Sequence, residues 1–185
     1  MIAPQVLPGS YTLKMKVADK EYNQAIQIVT DPKSAYTLAD RKLSYSTAME
    51  LYAMHEQLAK NVADISAKQK MLKDNMDKVK DAKVKKQMQE YYDKLELLRA
   101  ELIPTKATSI FADEDRLREN ITQVYSSICN TEAAPSNLQL DRVKGLQQKV
   151  NEADQKNAEI SKQYEEKIRS ALIKQGVITT NDSKK

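Results

Sequence analysis

Residues 51–79, LYAMHEQLAKNVADISAKQKMLKDNMDKV, decide the fold. Leu51, Leu58, Val62, Ile65, Leu72, Met76 and Val79 recur there at alternating three- and four-residue steps, with His55 and Gln69 on the same seam. A 3.5-residue repeat lays one narrow stripe along an α-helix, and that stripe must be covered by another helix of the same kind. Upstream, Thr37 with Asp40 three residues on approximates a capping box, so the helix begins there. From Thr37 to Val79 it is roughly 60 Å long at about 1.5 Å per residue, more than a compact globule needs. The rest of the chain is read as what packs against it.

Near Lys80-Asp81-Ala82 the seam loses register, and Asp81 can cap a new start. A second helix carries Val84, Met88, Tyr91, Leu95, Leu98 and Leu102, and Pro104 stops it because proline lacks the N–H and clashes with the preceding turn. Thr105 to Ala112 reads as a linker that Phe111 tucks onto the bundle. A third helix begins near Asp113-Glu114-Asp115, acids suited to a helix N-terminus, with Leu117, Ile121, Val124 and Ile128 inward. Ser136-Asn137-Leu138-Gln139 is a capping box for the last helix. Its seam runs Val143, Leu146, Val150, Ala153, Asn157, Ile160, Tyr164, Ile168 and Leu172, and Gly176 ends it as a C-cap. The first and last helices are each about forty residues and the two between about half that. The reading is a mainly α protein: a long antiparallel bundle of three long strands with the middle one broken at Pro104. A four-helix up-down bundle is the alternative.

Residues before Thr37 behave differently. Pro8-Gly9-Ser10 is turn punctuation, and Tyr11, Leu13, Met15 and Val17 then alternate with Thr12, Lys14 and Lys16, the signature of a half-buried strand. A turn at Ala18-Asp19-Lys20-Glu21 leads to a second run, Tyr22 to Val29, with Tyr22, Ile26 and Ile28 on one face. Asp31-Pro32 closes a β-hairpin. An isolated hairpin is marginal in water, and no other segment reads as a strand. It therefore packs on the bundle, pairs with another chain, or is the last piece of a sheet whose other strands lie upstream.

Composition narrows the class. Charged residues are 30% of the 185 and hydrophobic ones 41%, with three glycines, one phenylalanine and no tryptophan, a profile of extended helices and not of glycine-rich catalytic loops. The net charge of +4 is small beside thirty basic and twenty-six acidic side chains. They are interleaved, whereas a nucleic-acid binder concentrates its basic residues; no nucleic-acid partner is expected. One cysteine, Cys129, excludes an internal disulfide and a cysteine-built zinc site. No apolar window is long enough to span a membrane. Met1 to Gln5 lacks the basic and apolar regions of a signal peptide, which reads either as a cytoplasmic protein or as a start that is not the natural one.

Leu7-Pro8-Gly9-Ser10-Tyr11-Thr12-Leu13-Lys14-Met15, then Lys20-Glu21-Tyr22, then Val29-Thr30-Asp31-Pro32 resembles a segment near the C-terminus of bacterial BNR/Asp-box repeat proteins. These are sortilin-like β-propeller proteins, often labelled glycosyl hydrolases. In that family a strand pair of this kind ends a small β-sandwich, and a helical tail follows with a turn similar to Thr131-Glu132-Ala133-Ala134-Pro135-Ser136. The hairpin turn has Asp19 where the family often has glycine. The resemblance implies an upstream propeller and β-sandwich in the same polypeptide as partner, and a periplasmic or extracellular location. Any sugar-processing activity would sit upstream of these residues.

The residues that carry chemistry elsewhere have plainer readings here. His55, Gln69 and Asn157 are polar groups on helix seams, where single polar residues specify register and must be hydrogen-bonded. One histidine without cysteine partners makes a poor metal site. Cys129 as a nucleophile needs a base within hydrogen-bond reach, and packing near the bundle end is the simpler reading. Lys68, Lys70, Lys73, Lys78, Lys80, Lys83, Lys85 and Lys86 crowd the first reversal, but Asp74, Asp77 and Asp81 interleave with them, as at a solvated tip. Tyr45, Tyr52, Tyr91, Tyr92, Tyr125 and Tyr164 read as core and boundary packing ahead of a ligand cleft. Acidic pairs such as Asp113/Asp115 need a pocket to separate their pKa values. No P-loop, GxGxxG or HExxH occurs.

The sequence thus predicts residues 1–34 as the hairpin, 35–178 as the helical bundle and 179–185 as a disordered tail, with no catalytic, cofactor or metal site. The function expected is a non-catalytic C-terminal structural and interaction module of a larger exported propeller protein. The alternative is a self-standing coiled-coil adaptor, or homo-oligomer, that binds a protein partner in the cytoplasm.

Overall fold

The structure is a computed structural model and describes residues 3–104 and 116–179. In order these form β1 (Gly9–Val17), β2 (Lys20–Ile28), α1 (Leu38–Met76), α2 (Ala82–Leu102), α3 (Leu117–Cys129) and α4 (Asn137–Lys174). The protein is a helical bundle preceded by one antiparallel hairpin. The expected linker with Phe111, the acidic start at Asp113-Glu114-Asp115 and the tail beyond residue 179 lie outside the described residues.

The helices begin and end where local chemistry dictates. At α1 the Thr37 N–H donates to Asp40 Oδ2 at 2.8 Å and the Asp40 N–H returns to Thr37 Oγ1 at 3.2 Å. At α2 the Asp81 carboxylate accepts from the N–H groups of Lys83 and Val84. At α4 Ser136 and Gln139 close the same reciprocal box as α1. Each box satisfies two donors that a helix start leaves orphaned. Pro104 follows the end of α2. Gly176, at φ 66°, turns the chain after α4, while Val177 N–H donates to the Leu172 carbonyl and Gly176 N–H to that of Ile173. These two bonds make a Schellman cap.

The α1 seam is wider than its apolar residues suggest. Leu51, Leu58, Ile65 and Leu72 recur every seven residues and are all buried; Val79, expected on the same helix, is buried but lies beyond its end at Met76. A second row, also seven apart, is Thr47, Met54, Asn61, Lys68 and Asn75, all buried but Lys68, which is half-buried; the expected seam missed it because four of its five members are polar. His55, Val62, Gln69 and Met76 flank the first row and are partly or fully buried. Three inward positions per heptad let one helix face two neighbours. On α2 the six expected residues, Val84 to Leu102, are all buried.

By packing, the chain falls into two units that cut across the helices. The first contains Met1–Tyr52 and Gln123–Val143, the second Ala53–Thr122 and Lys144–Lys185. In the first, α3 returns antiparallel to α1: Arg41 meets Glu132, while Tyr52 lies near Tyr125. Its core is Ala48, Leu51, Val124, Tyr125, Ile128 and Val143.

In the second unit α1 and α4 run parallel. Gln57 bonds Asn151, Asn61 bonds Asp154 and Lys68 bonds Ser161, the numbers rising together. α2 is antiparallel to α4, with Tyr91 at Ser161 and Glu101 at Lys156. An up-down four-helix bundle would make the first and last helices antiparallel. The three-stranded arrangement is therefore the one found in this unit.

Candidate docking surface

The register of the hairpin sorts its side chains. Met15 pairs with Tyr22, Tyr11 with Ile26 and Gly9 with Ile28, and Leu13 and Val17 lie between and beyond on the same face. Directly paired residues share a face, so every large apolar side chain of both strands points one way. The opposite face is built for water: Ser10 Oγ donates to Gln27 Oε1 at 2.6 Å and Lys14 pairs with Glu21 at 3.0 Å.

Toward the turn that apolar face is uncovered, while Ile26 and Ile28 at its other end are half-buried. Leu13, Met15, Val17 and Tyr22 are each more than half exposed, at 56%, 57%, 54% and 51%. Covering a side chain of this size returns roughly 1–2 kcal/mol, so the face holds back several kcal/mol, a large share of a small domain's stability. No third strand pairs with either edge among the described residues, and open edges are sites where another chain can add.

The exposure is concentrated. Among the described residues every large hydrophobic side chain left exposed belongs to the first unit, Leu97 alone excepted. Outside the hairpin these include Leu38, Leu43, Met49 and Tyr52 on α1 and Leu138 on α4. The segment joining β2 to α1 is pinned within the same unit. Arg41 Nη2 donates to Ser34 Oγ at 3.0 Å and to Glu132 Oε2 at 2.6 Å, and Ser34 Oγ donates to the same carboxylate at 3.1 Å. The Arg41 guanidinium holds the Glu132 carboxyl below the usual carboxylate range. Asp31 accepts from the Lys33 N–H at 2.8 Å and closes the turn.

Each sequence-predicted polar residue has a definite place in the second unit. His55 is half-buried; loss of hydration and then the Arg118 charge hold its pKa below 6.5, against the pull of Glu119. Gln69 is buried and donates to Glu96 Oε2 at 2.8 Å, where Arg99 also binds. Asn157 is buried and donates to Asn61 Oδ1 at 2.9 Å and Asp64 Oδ2 at 2.8 Å.

Asn157 turns out to be one rung of a longer ladder. On α1 it runs through Gln57, Asn61, Asp64 and Lys68; on α4 through Asn151, Asp154, Asn157 and Ser161. Lys68 Nζ donates to Asp64 Oδ2 at 2.6 Å and Ser161 Oγ at 2.7 Å, so it leaves the lysine crowd and turns inward. Tyr91 OH donates to Ser161 Oγ at 3.3 Å, and its ring stacks on Tyr164 with centroids 5.4 Å apart. The signal that would have found this ladder is polar residues at heptad spacing beside the apolar row.

The Cys129 thiol is buried in the first unit, and burial pushes its pKa up. That is opposite to the lowered pKa of an activated nucleophile. Asp113 and Asp115 fall outside the described residues. Among the described residues no group of three histidine, cysteine or acidic side chains is placed to hold a metal ion, and no helix is long and apolar enough to cross a membrane. No protein-family model, curated protein or solved structure matches the chain.

Proposed function

We propose that this chain is a non-catalytic structural and interaction module, the C-terminal region of a larger exported propeller protein related to glycosyl hydrolases. The first unit docks and the second is a helical extension. The observation that carries this reading is the hairpin's exposed apolar face, which belongs to the unit that holds every exposed large hydrophobic side chain but Leu97 among the described residues. A face of two nine-residue strands, apolar on one side and polar on the other, has the chemistry of an inner sandwich layer. Such layers pack about 10 Å apart through their apolar faces. The strand-pair and TEAAPS resemblances point to the same arrangement, with the other layer in the preceding polypeptide.

A free-standing coiled-coil adaptor would need an apolar stripe along its helices. In the second unit that stripe lacks support, since Leu97 is the one large hydrophobic exposed there among the described residues. The test is the genomic sequence before the first codon. An open frame running on into Asp-box repeats and an export signal is the expected result. A stop codon and ribosome-binding site immediately before Met1 would overturn the proposal.

A further inference from the structure

The ladder between α1 and α4 does more than satisfy buried polar groups. Asn61, Asn157 and Ser161 are each less than a tenth exposed, in positions that leucine would fill in a seam built for stability alone. Polar residues at such positions lower stability and exclude other pairings. Their partners here are complementary only in one register. Sliding α4 by a heptad in one sense sets Lys68 against Ile168; in the other sense it sets Asp64 against Val150. The first leaves the largely enclosed Lys68 ammonium facing hydrocarbon, which is costly; the second takes from Asp64 the amide donor it has in Asn157. Pairing two copies of α1 side by side in parallel would set Lys68 against Lys68 and Asp64 against Asp64. Two copies of α4 would oppose Asp154 to itself.

We propose that this ladder is a pairing code: it makes α1 and α4 of one chain each other's obligatory partners and closes the second unit to helices from a second copy. The inference rests on the second unit alone and stands or falls separately from docking by the first.

The experiment uses the full chain carrying Leu13→Thr and Met15→Thr, which remove association through the hairpin face. With the ladder intact, light scattering should give the monomer mass at every concentration. Adding Asn61→Leu and Asn157→Leu together with Asp64→Ala, Lys68→Ala and Asp154→Ala, which removes the bonded amide pair and the charges that oppose like pairings, should leave the helical signal in place. The mass should then climb with concentration to that of a dimer. A folded variant that keeps the monomer mass throughout would overturn the proposal. A second arm needs no folded ladder variant. Two ladder-intact preparations, labelled at exposed positions on α1 and on α4 respectively, are unfolded together and refolded. No energy transfer between chains is expected, and transfer would overturn the code.

Discussion

Ala18 occupies the first central position of the two-residue turn between Val17 and Lys20, at φ 52°. An L side chain pays roughly 1–2 kcal/mol there, and glycine does not. Ala18→Gly should stabilise the hairpin by about 1 kcal/mol after the extra chain entropy of glycine is charged. Amide exchange across residues 9–28 would slow by roughly fivefold; unchanged or faster exchange would show that the turn is not strained. Tyr91 supplies a second test at this scale. Burial pushes its pKa up to about 12, chiefly by denying water to the phenolate, and Tyr125 is raised to about 12 for the same first reason. Both folded values exceed the value of about 10 in an unfolded chain. Their contribution is therefore complete below pH 10 and lost as the pH rises toward 12, by up to about 3 kcal/mol for each buried ring. Phenolate absorbance followed with circular dichroism should show both tyrosines ionising together with loss of helix.

At the scale of elements, α4 depends on the Ser136–Gln139 box. Ser136→Ala should cost about 1 kcal/mol and Ser136→Gly only a few tenths. Thermal melts of the two variants would separate the lost cap from a general effect of changing the turn. The helices were legible because caps, Pro104, Gly176 and the apolar rows are local signals of known spacing. The orphan character of the hairpin was legible too, since no other run alternated. Asn61, Lys68 and Ser161 were not, because a polar side chain on a seam looks like surface until its partner is known, and the pairs Asn61–Asp154 and Lys68–Ser161 join residues some ninety positions apart. His55, Gln69 and Asn157 were singled out only because their neighbours on the seam were apolar. Nor was the parallel pairing of α1 with α4 legible from one helix at a time. It follows from which rung bonds which.

At the scale of the molecule, the two units divide the work of burial unequally. The second encloses its apolar rows and spends polar groups on pairing. The first leaves Leu13, Met15, Val17 and Tyr22 in water while bracing the segment between β2 and α1 through Arg41, Ser34 and Glu132. An exposed apolar sheet face of this kind is what the proposed docking role requires. The most direct measurement is amide hydrogen exchange of residues 9–28 in this chain by itself and within the longer polypeptide that the proposed function calls for. The account predicts exchange far faster than in the α2 and α4 cores for the chain alone, and strong protection in the longer protein. Core-like protection in the isolated chain, or no change in the longer one, would contradict it.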